Sequence, residues 1–332
     1  MTLATSRPIA PDALALIEAY RAAGEISFQD VDLETARQNY EISCASNGMP
    51  RSEVADVRDV VIADRIPARL YRDRPAEIGP AILFIHGGGW VIGSLDTHDG
   101  LCRALTRKTG AMVIAVDYRR APESRYPAAV DDCRAALEWV FAHAEDLHID
   151  PQRIVLVGDS AGGQMATVLA NEYALGGHRE CPVAQVLLYP VTDLGMDSDS
   201  YRRVTTGFPL TDRSMRWFAD QYAPEGVDRL QAGLSPLRHE VPECGVPAFV
   251  VTVDHDPLAD EGIAYAAKLA SAGTAVEHLH LAGYAHGLFT SAGKIPTGAA
   301  VLDRVAAFIC AATGTHDLRA RGRGRTPSRS TV

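Results

Sequence analysis

The sequence predicts an α/β fold, a mostly parallel eight-stranded sheet with helices on both faces and a helical cap. Three observations predict it. Eight short apolar runs, rich in valine, isoleucine and leucine, recur along the chain, and runs of that length and composition read as buried strands. From Ala81 onward they alternate with helical patterns, the signature of parallel strands joined by crossover helices. Between the run Ile154–Val157 and the helical stretch Gln164–Ala170 lies Gly158-Asp159-Ser160-Ala161-Gly162. Gly-x-Ser-x-Gly at a strand-to-helix turn is a nucleophile elbow: a tight, strained turn lifts the serine hydroxyl above the sheet edge, and the glycines let strand and helix pack closely.

The length of 332 residues suits one large domain with an added substructure. The net charge of −10 argues against nucleic acid as a partner, and five arginines between Arg319 and Val332 leave the body near −15 (−10 − 5). No stretch is long and apolar enough to span a bilayer, so no stable membrane association is expected. Met1–Pro11 lacks a basic, apolar, small-residue succession, so the expected location is cytoplasmic. The six cysteines, at 44, 102, 133, 181, 244 and 310, are scattered without a Cys-x-x-Cys pair. They read as reduced, mostly buried thiols rather than a disulfide frame or metal site.

In chain order, Ala13–Tyr20 and Leu33–Tyr40 are helical patterns that precede any strand and form an accessory element. Val57–Ala63 and Ala68–Tyr71 read as strands joined through Asp64–Pro67. Ala81–Ile85 ends at His86-Gly87-Gly88-Gly89-Trp90, and Met112–Val116 ends at Asp117-Tyr118-Arg119. Tyr126–Ala144 is an amphipathic helix started by Pro127, with Val130, Leu137, Val140 and Phe141 at helical spacing. Val186–Tyr189 is the next strand. The alternation breaks from Asp193 to Pro247, where helical pieces around Ser214–Phe218 sit among prolines and glycines; an insertion there suits a lid. The pattern resumes with strand Ala248–Val253, helix Glu261–Ala272, strand Val276–Leu281 and helix Gly298–Ala312. The resulting division is 1–50 for the accessory helices, 195–236 for the insertion, 51–194 and 237–313 for the core, and 314–332 for a disordered basic tail.

A serine hydroxyl needs an adjacent base, itself oriented by a carboxylate, and in an elbow fold these follow the serine in the order acid, then histidine. Of the eleven histidines, 239, 255, 278, 280 and 286 lie in or near the later sheet region. His278 and His280 share one strand face, whereas His286, in Gly283-Tyr284-Ala285-His286-Gly287, hangs just past the last strand where a base can reach the elbow. Three aspartates compete for the acid. Asp254 ends a strand, Asp260 reads as a helix cap, and Asp256 sits in the loop before Pro257; the residues alone favour Asp256 over Asp254 only modestly. An oxyanion needs backbone N–H donors, one from Ala161 and others from the Gly87-Gly88-Gly89 loop, whose amides can approach a substrate with no β-carbon in the way. A phosphate-binding reading of that loop fails for want of a following Gly-Lys-Ser/Thr. His86 reads as an organiser of this loop.

Together with Asp117-Tyr118-Arg119-Arg120-Ala121-Pro122-Glu123, Tyr126-Pro127-Ala128-Ala129, Gly158–Gly163, Asp256-Pro257-Leu258-Ala259-Asp260-Glu261 and His286-Gly287, the His86–Trp90 loop gives a chain that resembles the bacterial hormone-sensitive-lipase-like esterases of the α/β-hydrolase superfamily, in the subgroup with Asp before the nucleophile. The resemblance covers about Val57 to Ala312. It implies Ser160, Asp256 and His286 as a triad, choosing Asp256 over Asp254. It implies Gly88, Gly89 and Ala161 as oxyanion donors and a cap built from the N-terminal helices plus the insertion. Ala259 departs from it, since arginine is usual there.

The expected function is hydrolysis of short- to medium-chain carboxylic esters through an acyl-enzyme, with no cofactor and no metal. Alternatives are hydrolysis of amide, carbamate or lactone bonds with the same triad, or a non-catalytic ligand-binding module. Trp90, Asp159, Tyr189, Phe208 and Leu210 are pocket candidates, while Trp217 and Phe218 read as packing within the cap. Partners are a small-molecule ester and, through the last strand and helix, a second copy of the chain.

Overall fold

The structure, a computed structural model, describes residues 7–73, 78–178 and 180–315. The basic tail beyond residue 315 lies outside the described residues. Eight strands form one sheet: β1 (Asp56–Ile62), β2 (Ile66–Arg72), β3 (Gly79–Ile85), β4 (Met112–Val116), β5 (Ile149–Asp159), β6 (Ala184–Leu188), β7 (Ala248–His255) and β8 (Val276–Ala285). Their order is β1-β2-β4-β3-β5-β6-β7-β8. β1 and β2 form an antiparallel hairpin, β2 runs antiparallel to β4, and every other pairing is parallel.

Alternation along each strand sends successive side chains to opposite faces, and both faces are covered. Leu83, Ile114, Leu156, Leu187 and Val250 pack under α4 (Ala128–Ala142), α5 (Ala161–Gly176) and α8 (Ala259–Ser271). Phe84, Val113, Val155, Val186 and Val251 pack under α3 (Asp99–Thr109) and α9 (Pro296–Ala312). Burial on both faces explains why these strands read as continuous apolar runs rather than alternating ones. The helix α3 was not legible in the sequence. It is polar on balance, Asp99-Gly100 and Thr106-Arg107-Lys108-Thr109 surrounding a narrow stripe of Leu101, Cys102 and Leu105 that turns toward the sheet.

Two segments far apart in sequence lie together over the sheet. α1 (Pro11–Ala22) and α2 (Leu33–Asn47) meet the stretch that carries α6 (Asp199–Arg203) and α7 (Asp212–Tyr222). Arg21 Nε donates to Gly207 O at 3.1 Å, Gly207 N donates to Glu25 Oε2 at 3.0 Å, and the Phe28 and Phe218 rings are 5.2 Å apart. On α2, Arg37 is bonded to both carboxylate oxygens of Glu123, at 2.7 and 2.8 Å, and to the carbonyls of Val91 and Ala121. α1 is tied to the far end of the sheet: Ala10 N donates to Gly283 O at 2.9 Å and Tyr284 Oη to Asp12 at 2.8 Å. No helix among the described residues is long and apolar enough to cross a membrane.

Candidate active site

The strand order places the site. Sequence neighbours depart in opposite directions from the β3/β5 pair, β3 leading to β4 on one side and β5 to β6 on the other, so the loops leaving these two strands diverge and open a crevice at their C-terminal ends. The His86–Trp90 loop leaves β3 and Ser160 leaves β5, with Ile85 paired to Gly158 across the ladder. Two strands further on, β7 delivers Asp256 and β8 delivers His286.

Ser160 sits at φ 55° and ψ −119°, a conformation that costs a non-glycine residue about 1–3 kcal/mol and persists only where its surroundings over-determine it. Here Ser160 N donates to Leu188 O at 2.8 Å, while Ser160 O accepts from Gln164 N and Val191 N. A β-carbon on Gly162 would run into the carbonyl of Ile85, so the elbow closes against β3 only with glycine there. The residue is 6% exposed and its hydroxyl lies 3.0 Å from His286 Nε2. His286 Nδ1 is 2.7 Å from Asp256 Oδ2. Asp256 is fully buried, and its other oxygen accepts from Leu258 N at 2.9 Å. The three side chains form one continuous hydrogen-bonded chain.

The competing aspartates do other things. Asp254 pairs with Arg7 and accepts from Gly283 N. Burial alone would raise its carboxyl, but those two contacts hold it below the usual range. Asp260, read as a cap for its own helix, instead accepts from Ser200 N at 2.7 Å and meets Arg203, fastening α6 to α8. Ala259, where arginine was expected, is buried at the first turn of α8; the acid loop is held by Leu258 N on Asp256 and by the Ser200 hydroxyl on Pro257 O. His278 and His280 both lie 2.9 Å from Thr252 Oγ1 on the face of β7, and His255 stacks on Phe208.

Gly88 and Gly89 adopt φ of 117° and 57° and face the same cavity as Ser160. Ala161 opens α5, where an N–H has no i→i−4 partner within the helix. His86 organises the loop from behind: Nδ1 is 2.7 Å from Gly87 O, the ring stacks on Tyr118, and Tyr118 Oη donates to His86 O. Asp159, fully buried, accepts from Gly87 N at 2.8 Å and lies 3.1 Å from His98 Nε2. Burial by itself would push this carboxyl up, but His98 and the Gly87 N–H hold it below the ordinary carboxylate range.

A cavity of about 350 Å³ lies over these groups. Its walls come from α1 and α2 (Ile17, Tyr20, Tyr40), the loop between them (Ile26, Phe28), the α6–α7 region (Leu210, Met215, Phe218) and the stretch after β8 (Leu288, Ser291, Ile295). Of the pocket candidates, Asp159 and Leu210 line it. Trp90 does not: it is buried, stacks on Tyr222 at 4.6 Å and donates to Gln164. Tyr189 supports the His286 ring from below at 4.4 Å and donates no surface to the cavity wall, and Phe208 is engaged by His255 and Arg21. Phe218, read from the sequence as cap packing, is the residue that reaches the glycine loop; a β-carbon on Gly89 would overlap its ring. His98 and the lining residues of α1 and α2 were missed. An amphipathic pattern tells that a helix has an apolar face, not what that face covers.

The family model of the alpha/beta hydrolase fold matches residues 82–290. The chain is 41% identical over 281 residues to the ethyl acetate hydrolase of Pseudomonas putida, covering 82% of this chain and 88% of that one. It is 39% identical over 295 residues to the carboxylic ester hydrolase LipN of Mycobacterium tuberculosis, covering 86% and 75%. Among solved structures, an α/β hydrolase from the metagenome of Lake Arreo, Spain, superposes with a TM-score of 0.87 at 34% identity, covering 92% of this chain and 99% of that one. The chain therefore belongs to the α/β-hydrolase-fold family, within its hormone-sensitive-lipase-like esterase branch.

Proposed function

We propose that the protein is a serine carboxylesterase that hydrolyses short- to medium-chain esters through an acyl-enzyme. The observation that carries this reading is the unbroken chain Asp256–His286–Ser160 opening onto a cavity floored by Gly88 and Gly89. In this mechanism His286 Nε2 takes the Ser160 proton as Oγ attacks the ester carbonyl, and Asp256 holds the Nδ1–H tautomer and stabilises the imidazolium. The amides of Gly88, Gly89 and Ala161 receive the developing oxyanion. His286 then returns its proton to the departing alcohol, and water attacking the acyl-enzyme, deprotonated by the same ring, releases the acid. All proton transfers run through side chains, so the steps call for no metal or organic cofactor.

The cavity volume supports the substrate range. About 350 Å³ lies at the small end of ligand pockets, near 300–1,000 Å³, and suits a short acyl chain better than a long one. The names of the relatives, an ethyl acetate hydrolase and a carboxylic ester hydrolase, support the same class. In this reading α1, α2 and the 195–236 insertion act together as a cap. β8, whose neighbour in the sheet is β7, would pair with a second copy of the chain, giving twice the 35.6 kDa chain mass by light scattering.

The test is hydrolysis of 4-nitrophenyl butyrate, with labelling by a fluorophosphonate that reacts only with an activated serine. Ser160→Ala should lose at least about 10⁴-fold in kcat and all labelling while melting at the wild-type temperature. Undiminished turnover in that variant, or no turnover in the wild type, would reject the reading.

A further inference from the structure

We propose that His98 and Asp159 form a buried ion pair, with His98 protonated on both ring nitrogens, that positions the glycine loop from beneath. The inference rests on the hydrolase reading above. Asp159 directly precedes Ser160 and is 2% exposed. An uncompensated carboxylate there would oppose the negative charge that develops on the substrate oxygen, so its neutralisation bears on the chemistry.

Hydrogen-bond bookkeeping assigns the protons. Thr97 Oγ1 is 2.8 Å from Ser94 O, and a carbonyl only accepts, so the single hydroxyl proton of Thr97 is committed there. Thr97 Oγ1 accepts from Ser94 N at 2.9 Å. His98 Nδ1, 2.8 Å from the same oxygen, must then be a donor. On the other side of the ring, Nε2 is 3.1 Å from Asp159 Oδ1. That N–H is not well aligned on the oxygen, but an unprotonated Nε2 would set two lone pairs against each other in a dry site. Oδ1 also accepts from Gly87 N, a bond that favours the ionised carboxylate, and this places the proton between the two groups on Nε2. Both ring nitrogens carry hydrogen.

The surroundings fit this assignment. His98 is 2% exposed and faces the Phe84 ring of β3 and the His86 ring of the glycine loop, centroids 5.7 and 5.8 Å away, with Asp159 the charged group in contact. The neighbouring Asp99 is engaged by Tyr71, Arg69 and Arg103. A β-carbon on Gly87 would overlap the Asp159 carboxylate, so the loop rests directly on the acid. His98 and Asp159 are positioning residues: they hold Gly87, and through it the Gly88 and Gly89 amides.

The test has two parts. Histidine ring nitrogens are observed by ¹⁵N NMR in the wild-type protein at neutral pH, with His98→Gln identifying the resonances that belong to His98. Two protonated nitrogens are expected; one unprotonated His98 nitrogen would overturn the proposal. Asp159→Asn keeps an oxygen for Gly87 N–H and removes the charge. It should lower kcat on 4-nitrophenyl butyrate by about 10-fold, less than the 10²–10³ for losing an oxyanion donor, with KM within about 2-fold. A kcat equal to the wild type would overturn the proposal. If Asp159→Asn does not fold, the spectrum of the wild type decides. Absence of hydrolysis by the wild type would reject the esterase reading while leaving the proton assignment to the spectrum.

Discussion

The floor of the site and the helical cover above it are built on different principles. Ser160, Asp256 and His286 stand at the ends of β5, β7 and β8, in loops whose positions follow from the ladder; Ser160 is bonded through its backbone to Leu188 and Val191, Asp256 accepts from Leu258 N, and His286 rests on Asp256 and the Tyr189 ring. The cover is held by side chains reaching across long sequence separations: Arg37 to Glu123, Arg21 to Gly207, Asp12 to Tyr284. A sheet tolerates little displacement, because moving one strand breaks a whole ladder, whereas each tie of the cover is a separate contact worth about 1 kcal/mol or less. The floor is thus suited to chemistry that fails with small misplacement, and the cover to a wall that can differ in shape while the chemistry stays the same.

The largest expected effect tests how local the floor is. Asp256→Asn should lose about 10⁴-fold in kcat, because an amide favours the wrong His286 tautomer while the packing stays in place. Asp254→Asn, two residues away on the same strand end, should stay within a few-fold in kcat and instead lower the melting temperature, since it removes the anion that Arg7 and Gly283 N engage. Equal losses in the two variants would mean that the acid cannot be read from the hydrogen-bonded chain.

A smaller effect is expected where cover and floor touch. Gly89→Ala places a β-carbon on the Phe218 ring and should cost about 10²-fold in kcat by displacing an oxyanion donor. Phe218→Ala in the same chain should restore part of this loss, because it clears the ring but leaves alanine at a φ of 57°. No recovery at all would show that the two regions are not coupled through this contact.

The smallest effect belongs to a tie of the cover alone. The Arg37 guanidinium holds the Glu123 carboxyl down at about 2, against an ordinary 4.5. A depressed carboxyl stabilises the fold above its unfolded value, so the contribution is complete above about pH 4.5 and is lost as pH falls toward 2. Glu123 is 59% exposed at its side chain, so solvent screening limits the pair to under about 1 kcal/mol. Glu123→Gln should therefore melt slightly below the wild type at pH 7, with the gap narrowing below pH 4.5 and kcat little changed. A gap that widens in acid would reverse the sign of this coupling.

The elements that were legible share one property: their sequence pattern is imposed by local geometry. The eight apolar runs and the glycines around Ser160 reflect constraints within a strand or a single turn, and each run was found within a few residues of its place. Helix α3 escaped because its four apolar residues are outnumbered by polar ones, and with it went His98, whose partner Asp159 lies 61 positions further along (159 − 98). Trp90 and Phe218 exchanged roles for a related reason. Both are aromatic and both belong near the site, and nothing in their local sequence says that Tyr222 covers one while Gly89 leaves room for the other.

What the sequence determined by itself is the sheet, the elbow and the residue types the chemistry needs, because those depend on backbone period and turn geometry. The tertiary structure alone decided which helices wall the cavity and how Asp159 is neutralised. Those outcomes depend on contacts between segments tens to hundreds of residues apart, where the free energy lies in distances and burial that no local pattern encodes.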